Sequence, residues 1–220
     1  MSRLKHQMHE RRERILAAAR SIIAESGYAG LSMRALARAS QVTVPTIYNL
    51  IGSKEDVVVE AVAEQTRRFV SGLEGKADLL AVIEAAVDDF VSQPAYYRGL
   101  LPALASSSSI AGRQAQRAMR KQIEFALETA ASARSLEEGM DPGLLSQRIQ
   151  THFDATALQW SAGYLDDVAF RAAALFDVAL VGVAVYRGSE VDRFHQVLDR
   201  SQSRARLQGR QEEHAVGAEA

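Results

Sequence analysis

The apolar residues of this chain recur at a spacing near 3.6 along almost its whole length, and this period is typical of amphipathic helices. Only four prolines interrupt its 220 residues, and runs of β-branched residues with a period of two are absent. The pattern therefore predicts an all-α protein. The expected helices cover residues 10–26, 33–40, 44–50, 54–73, 77–92, 95–105, 111–135, 142–164, 168–186 and 191–200. The stretch 95–105 is expected to be broken, because Pro102 disturbs it.

The composition supports a globular protein and excludes several kinds of site. Hydrophobic residues make up 47% and charged residues 24% of the chain, enough for a buried core. Because cysteine is absent, disulfides, thiolate zinc sites and redox thiol chemistry are excluded. The first ten residues hold no apolar stretch, so we expect no signal peptide. The longest apolar run near the carboxyl end, residues 178–186, is shorter than the ~20 residues of a membrane span, so we expect a cytoplasmic protein without a membrane partner.

Charge is distributed unevenly along the sequence. Residues 1–54 carry nine Lys or Arg and three acidic residues, whereas the remainder carries 17 basic and 24 acidic residues. This arrangement predicts a small polyanion-binding module attached to an acidic body. Chance segregation of solvated charge is the alternative.

Capping residues divide the basic segment into short helices. Ser32 precedes the second predicted helix and Thr43 precedes the third, and both residue types are favourable N-caps. Ser53 and Asp56 have nearly the spacing of a capping box at the start of the fourth helix. Two short helices separated by a three-residue turn at 41–43 are typical of a helix-turn-helix, whose second helix enters the major groove of DNA.

Residues on and beside the third helix suit contact with DNA. Their hydroxyl and amide groups are available for bases and phosphates, and the N-terminus of the fourth helix can bind phosphate through its backbone N–H groups. Arg34 and the basic cluster at residues 11–14 can hold the DNA backbone on either side. For Tyr48, an aromatic core residue is the alternative. The predicted DNA-binding residues are Arg34, Thr43, Val44, Pro45, Thr46, Tyr48, Asn49 and Lys54.

The stretch from residue 15 to residue 62 resembles the TetR family of bacterial transcription regulators. The resemblance rests on the string SMRALARASQVTVPTIYNLIGSKEDV at residues 32–57. Its Leu-Ala pair, its Pro-Thr-Ile-Tyr run and its Ser-Lys-Glu run fall at the spacing of the family. Two positions differ, because Gln41 stands where the family usually has glycine and Leu50 where it often has histidine.

The resemblance implies a homodimer whose paired recognition helices read a palindromic operator, usually as a repressor that a small molecule releases. It implies that Tyr48 and Lys54 contact phosphates. It also implies that Pro45, Thr46 and Asn49 lie nearest the bases. The two half-sites are then expected about one helical turn apart, ~34–36 Å between centres.

A four-helix dimer interface, formed by the last two long helices of each subunit, is also implied by the resemblance. The helix expected at 168–186 suits this role because it is apolar nearly all round. A central core helix of a monomer is the alternative. The predicted interface residues are Phe176, Leu180, Val181, Ala184 and Val185.

An effector pocket is expected in the body of the chain, where aromatic residues cluster at the place of the family's effector cavity. A few polar groups on this apolar face can orient a partly apolar small molecule, which is otherwise unidentified. For His152, the alternative is a core histidine paired with Asp177. The predicted pocket residues are Phe90, Tyr97, Leu101, Gln122, Phe125, His152, Phe153, Thr156 and Trp160.

Sequence motifs of catalysis are absent: there is no Gly-x-Gly-x-x-Gly, no P-loop and no Gly-x-Ser-x-Gly. His6 and His9 have a metal-like spacing but stand alone. We therefore expect no enzyme, no metal and no cofactor. The rival function is a helical ligand-binding or scaffold dimer without sequence-specific DNA recognition.

Four regions follow from these patterns, with a helix-turn-helix module preceding a larger helical domain. They are a basic arm at 1–9, a DNA-binding domain with its linking fourth helix at 10–73, an effector-binding and dimerisation domain at 74–200, and a mobile polar tail at 201–220.

Overall fold

The computed structural model describes residues 3–73, 77–105 and 109–202, and within these ranges the chain is helical without a β-strand. The all-α prediction is confirmed. The helices are α1 Arg3–Gly30, α2 Met33–Ala39, α3 Val44–Leu50, α4 Lys54–Gly72, α5 Leu79–Ser92, α6 Pro94–Leu104, α7 Ile110–Ser132, α8 Pro142–Ser161 and α9 Asp167–Val185. A further helix, α10, is described over residues 189–202. Most of the predicted tail lies outside the described residues.

Two helices differ from their predicted form. The first begins at Arg3, within the segment expected as a basic arm at 1–9, and not near residue 10. The first helix was expected to end before Gly27, but α1 continues to Gly30 through a kink at Gly27, where φ is 67° and ψ is 178°. Glycine adopts this backbone conformation without a Cβ clash, so the chain bends there instead of ending its helix. The segment predicted to be broken at Pro102 is continuous in α6. Pro102 cannot donate to the carbonyl of Arg98, one turn earlier, and α6 ends two residues later, so its effect is confined to the C-terminal part of the helix.

One compact unit contains Met1–Gly72 together with Ser92–Ala118. Its core includes the fully buried side chains of Ile15, Ile23 and Ile47. The close approach of α6 to α1 depends on Gly99, because a Cβ there would lie 2.4 Å from the carbonyl oxygen of Ile23. By packing, α6 and the start of α7 therefore belong with the helix-turn-helix, whereas the sequence predicts a boundary near residue 73.

The second compact unit contains Leu73–Val91 together with Met119–Ala220. At its centre Trp160 and Phe170 are fully buried and stacked, with ring centroids 5.0 Å apart. The indole N–H of Trp160 is satisfied by donation to Asp167 Oδ1 at 2.8 Å, as a buried indole requires. The core of this unit is thus built around the α8–α9 pair.

The most apolar described helix is α9, with a mean hydropathy of 2.0 over its apolar stretch. By length and composition alone it is long enough to cross a membrane, and 39% of that stretch is buried inside the protein. One face packs closely, because Gly182 accommodates the ring of Phe194 where a Cβ would lie 2.1 Å from it. Another face carries large apolar side chains that remain exposed, including Leu180.

Candidate nucleic-acid interface

Side-chain caps define both helices of the helix-turn-helix. The Ser32 hydroxyl accepts a hydrogen bond from the Ala35 N–H at 3.2 Å at the start of α2. The Thr43 hydroxyl accepts one from the Thr46 N–H at 3.3 Å at the start of α3. These bonds satisfy N–H groups that have no partner inside the helix. The predicted caps are therefore present, and they set where each short helix begins.

The turn between α2 and α3 passes through a left-handed residue. Gln41 has φ of 55°, a conformation that costs a residue with a Cβ about 1–2 kcal/mol. Backbone hydrogen bonds hold the turn closed, with the Val42 N–H donating to the Ala37 carbonyl at 3.0 Å. This position is where the family usually has glycine, so the chain adopts the family's turn with local strain.

The recognition helix α3 is attached through one side and open on the other. Among its seven residues, all described, Ile47 alone is buried and packs in the core. Tyr48 is 54% exposed, which excludes the alternative of an aromatic core residue. Asn49 and Pro45 are also exposed. The exposed side of α3 therefore presents a phenol, an amide and an apolar ring.

The two threonines at the start of α3 are paired with each other. Their hydroxyl oxygens lie 2.8 Å apart, and the Thr43 hydroxyl also caps the helix. Thr43 is exposed, whereas Thr46 and Val44 are partly buried. Hydroxyl hydrogens rotate to suit their partners, so this pair can present a donor or an acceptor to solvent.

The start of α4 is closed by its own capping box. The Asp56 carboxylate accepts from both the N–H and the hydroxyl of Ser53 at 2.8 Å, and the Asp56 N–H donates back to the Ser53 hydroxyl at 3.2 Å. The backbone hydrogen bond from Ser53 holds the pKa of Asp56 below its usual value. A negative charge therefore already stands where the sequence predicted phosphate binding. Gly52 permits this cap, because a Cβ there would lie 2.4 Å from the Asp56 carboxylate.

Lys54 is drawn back onto α1 in this structure. Its Nζ donates to the Tyr28 carbonyl at 3.1 Å and stands 4.0 Å from the centroid of the Tyr28 ring. The side chain is partly buried. A phosphate contact by Lys54 stays a prediction, and it requires the ammonium group to leave Tyr28.

The arginines of α1 divide into exposed and internally paired groups. Arg11 and Arg14 are exposed, as is Arg34 on α2. Arg12 and Arg20 instead pair with acidic residues of α4. Only part of the basic charge of the segment is thus available to DNA.

Two ion pairs join α1 to α4. Arg20 Nη1 lies 2.7 Å from Glu64 Oε2, and Arg68 binds the other oxygen of the same buried carboxylate. Arg12 binds Glu60 Oε1 and also donates through Nη1 to the Leu50 carbonyl at 2.7 Å. Burial raises the pKa of Glu60, and the positive charge of Arg12 opposes that rise. Sequence reasoning missed these pairs. A signal was present, because Arg12 and Arg20 are eight residues apart and Glu60 and Glu64 are four apart, so each set lies on one face of its helix.

Three aromatic residues of the predicted pocket pack against one another in the second unit. Phe90, Phe153 and Trp160 close on each other, with the Phe90 centroid 5.6 Å from Phe153 and 6.2 Å from Trp160. Phe125 is 51% exposed on the surface of α7. Gln122 is partly buried on the same helix. The pocket itself stays a prediction.

Tyr97 and Leu101 occupy α6, in the first compact unit, where Tyr97 is buried. Their contribution to the effector pocket therefore also stays a prediction.

A narrow cavity in the second unit touches part of the predicted set. Ile83, Ile149, His152, Phe153, Ala174, Asp177 and Val178 line it. The Thr156 hydroxyl oxygen lies 3.1 Å from Asp177 Oδ2 and 3.0 Å from the His152 carbonyl oxygen, and its single hydrogen is shared between these two acceptors. The described partner of Asp177 is therefore Thr156, whereas His152 is exposed. Sequence reasoning had left open whether these two residues belong to a pocket or to the core.

The predicted interface residues occupy successive turns of α9. Leu180 is 49% exposed and Ala184 is exposed, whereas Phe176 and Val181 are partly buried and Val185 is buried. Leu144 on α8 and Val168 on α9 are further large apolar side chains open to solvent.

No group of three metal-ligating side chains is found in the described part of the chain. His6, whose partner in the predicted pair is His9, instead faces Glu10, with Nε2 and Oε1 3.2 Å apart.

The comparisons with known proteins agree with this geometry. Residues 15–61 match the sequence pattern of the bacterial regulatory proteins of the tetR family. A comparison with curated protein sequences finds no match. Among solved structures, the chain is similar to SmeT, the repressor of the multidrug efflux pump SmeDEF of Stenotrophomonas maltophilia, with a TM-score of 0.67 and 18% identity over 81% of this chain and 92% of that one.

Two further structures share the fold over most of their length. TylP, a TetR regulator from Streptomyces fradiae, has a TM-score of 0.64 and 18% identity, with 91% of this chain and 93% of that chain covered. FadR from Bacillus subtilis, solved in complex with stearoyl-CoA, has a TM-score of 0.60 and 19% identity, with 86% and 96% covered. At these identities the likeness describes the fold.

Proposed function

Because the chain belongs to the TetR family of bacterial regulatory proteins by the match of its residues 15–61, we propose that it is a homodimeric repressor. In this proposal it binds a palindromic operator and leaves it when a small molecule binds. The observation that carries the proposal is the geometry of α3, which Ile47 anchors from one side while Tyr48 and Asn49 face solvent on the other.

Some side chains on α3 and at the start of α4 contact bases, and others contact phosphates. The Asn49 amide can bond a base edge in two places, which is how amide side chains discriminate adenine. The Tyr48 hydroxyl and the Lys54 ammonium act on phosphates, which fix the position of the protein without reading sequence. Arg34 and the exposed Arg11 and Arg14 extend the positive surface.

A second copy of the chain covers the exposed apolar face of α8 and α9. Leu144, Val168 and Leu180 are large apolar side chains that remain open to solvent in the single chain. Large apolar side chains left open to solvent on two packed helices favour an interaction surface. Dimerisation through it explains why α9 is as apolar as a membrane helix while only part of it is buried within one chain. It also pairs two α3 helices for a palindromic site.

The effector is a partly apolar small molecule that binds the second unit. The narrow cavity lined by Ile83, Phe153 and Val178 also has a carboxylate and an imidazole among its lining groups. At about 10 Å³ it has room for one water molecule, so effector binding there requires these side chains to move apart. Bacillus subtilis FadR, which shares the fold, holds stearoyl-CoA, and this supports a ligand-responsive body without identifying the ligand here. To change the ratio of released to DNA-binding protein from 1:99 to 99:1, the effector must bind the released arrangement more tightly by ~5.5 kcal/mol.

This function requires no catalysis, and we assign it to the cytoplasm, where operator DNA lies. The rival scaffold function is separated from it by a titration of the full chain. Genomic fragments selected by the protein, and a scrambled duplex of equal length, are titrated at two salt concentrations. A preference of ~10³ or more for a selected fragment supports the regulator. Equal affinity for both duplexes, unchanged by Tyr48→Phe and Lys54→Ala at constant dimer mass and helicity, supports the scaffold and overturns the proposal.

A further inference from the structure

Arg12 lies between three helices of the first unit. It belongs to α1, its Nη1 donates to the carbonyl oxygen of Leu50 at 2.7 Å, and its Nη2 binds Glu60 Oε1. Leu50 is the last residue of the recognition helix α3, and Glu60 belongs to α4. One guanidinium group therefore joins the end of the recognition helix to α4.

The end of α3 is a site where such a bond is effective. The last carbonyl groups of a helix lack partners within it, and a cation there also interacts favourably with the helix dipole. Because α3 is seven residues long and Ile47 is its buried side chain, few other contacts fix its orientation. The Arg12 bond acts at the opposite end of α3 from the Thr43 cap.

Glu60 holds Arg12 in this position at a cost to its own hydration. Its Oε1 binds Arg12, while Oε2 is buried and accepts no hydrogen bond from the described residues. Burial raises the pKa of Glu60 even against the positive charges of Arg12 and Arg67. The ionised pair therefore contributes little to stability, as is common for partly buried ion pairs. The pair instead fixes the position of the Arg12 guanidinium group between α3 and α4.

The chain contains a second pair that lacks the third contact. Arg20 and Glu64 join the same two helices, with Nη1 and Oε2 2.7 Å apart, and among the described residues neither has a hydrogen bond or ion pair to α3. Arg20 is thus a comparison for Arg12, because it has the same side chain, joins the same pair of helices and has no bond to the recognition helix; it differs in that its partner Glu64 also binds Arg68.

We propose that Arg12 is a positioning residue, which through Glu60 and the Leu50 carbonyl couples the orientation of the recognition helix to α4. This inference rests on the proposed DNA-binding function. Two of the five N–H groups of Arg12 are engaged inside the module, so we assign this residue to positioning, and the salt dependence of operator binding tests it as a ligand of DNA. Movement of α4 relative to α1 is transmitted to α3 by this guanidinium group, and operator affinity depends on the intact Arg12–Glu60 pair.

Glu60→Gln distinguishes a positioning role of Arg12 from phosphate binding, because the two roles predict opposite changes in operator affinity. The substitution removes one negative charge near the DNA-binding surface. If Glu60 merely restrained an arginine that binds phosphate, operator affinity would rise. If the pair positions α3, affinity falls, by about tenfold for the loss of one charge-assisted bond. Glu55→Gln is the charge control, since Glu55 is exposed on the first turn of the same helix, and it leaves affinity unchanged or slightly higher.

For Arg12→Gln, operator affinity is measured at several salt concentrations. Loss of a phosphate ligand lowers the slope of log K against log salt by ~0.9. Loss of a positioning residue lowers affinity at every salt concentration and leaves the slope unchanged. Arg20→Gln is the control, expected to lower thermal stability and leave the operator affinity of the folded protein unchanged. A reduced slope in Arg12→Gln, or a rise in affinity with Glu60→Gln, overturns the proposal.

Amide hydrogen exchange tests the coupling without DNA. In Glu60→Gln the backbone amides of residues 47–52 exchange at least about tenfold faster, while those of α2 do not change. If the wild-type chain fails to prefer any selected fragment, the proposed function fails, but this exchange result still decides the role of Arg12. Unchanged exchange in α3 contradicts the coupling whatever the DNA measurements give.

Discussion

The ammonium group of Lys54 rests on Tyr28, with Nζ 3.1 Å from the Tyr28 carbonyl oxygen and 4.0 Å from the ring centroid. The start of α4 is thereby tied to the last turn of α1. A DNA phosphate must compete with the ring and the carbonyl for the same ammonium group. DNA affinity should therefore depend on Tyr28, which itself need not contact DNA.

Tyr28→Leu should raise DNA affinity. A cation–π contact of this exposure contributes about 0.5–1 kcal/mol, so removing the ring should strengthen phosphate binding by about two- to fivefold. Because phosphate contacts carry no sequence information, the gain should be equal for a selected fragment and a scrambled duplex. Fluorescence anisotropy titrations measure it. Tyr28→Phe keeps the ring and serves as the control. An unchanged affinity in Tyr28→Leu would show that Lys54 does not bind phosphate.

Asn49→Ala and Tyr48→Phe should differ in specificity. Asn49→Ala should weaken binding to the selected fragment by about 1–3 kcal/mol, because a bidentate base contact is lost, and leave the scrambled duplex unaffected. Tyr48→Phe should weaken both duplexes alike, because a phosphate contact is lost. The ratio of the two affinities is the measurement. A uniform loss with Asn49→Ala would remove this residue from base recognition.

Gln41→Gly should stabilise the DNA-binding unit. Gln41 has φ of 55°, and glycine removes the strain of that conformation while adding backbone entropy to the unfolded chain. The balance should be about 0.5–1 kcal/mol in favour of folding. Thermal unfolding measures the change. Gln41→Ala keeps a Cβ and should give no gain, so equal stabilisation by both variants would argue against backbone strain as the cause.

Glu60→Gln should not lower thermal stability at neutral pH. The folded-state pKa of Glu60 is raised above its usual value because of burial. As pH falls through the folded-state pKa towards 4.5, the usual value of a glutamate side chain, the folded chain binds more protons than the unfolded chain, so stability from Glu60 increases. This contribution is complete below 4.5 and is lost as pH rises.

The difference between wild type and Glu60→Gln across the pH range isolates this group. The variant should lack the rise in stability on mild acidification that the carboxyl group produces. A variant that unfolds at a much lower temperature at neutral pH would contradict the raised pKa and assign the pair to stability.

Leu180→Glu should convert the dimer to a folded monomer. Leu180 is 49% exposed in the single chain, so a charge there leaves the fold intact but would be buried without a partner in the proposed interface. Sedimentation velocity gives the mass, and circular dichroism checks the helicity. Leu180→Ala is the milder control. If Leu180→Glu keeps the dimer mass, another surface forms the dimer.

Local patterns were predictable because they depend on neighbours in the sequence. The caps by Ser32 and Thr43 and the box between Ser53 and Asp56 use groups three residues apart, and the structure contains each of them. The exposure of Tyr48 follows from helical periodicity once the anchor residue Ile47 is known. Helix ends were less predictable, because the kink at Gly27 and the continuity of α6 depend on what packs against each helix.

The partners of charged side chains could not be predicted from these local rules. From the sequence, the positive charges of Lys54 and Arg12 could equally well bind DNA phosphates or groups within the protein. The Tyr28 carbonyl lies 26 residues from Lys54 along the chain, and Leu50 lies 38 residues from Arg12. No spacing in the sequence relates groups so far apart.

By itself, the sequence determined the helical class, the basic helix-turn-helix and the resemblance that it carries, because these follow from helix period, capping and charge within short stretches. Only the tertiary structure decided which cations remain open to DNA, that α6 packs on α1 through Gly99, and that Phe90, Phe153 and Trp160 close on one another. The physical reason is that burial and pairing depend on contacts between distant segments, which exist only when the helices have packed.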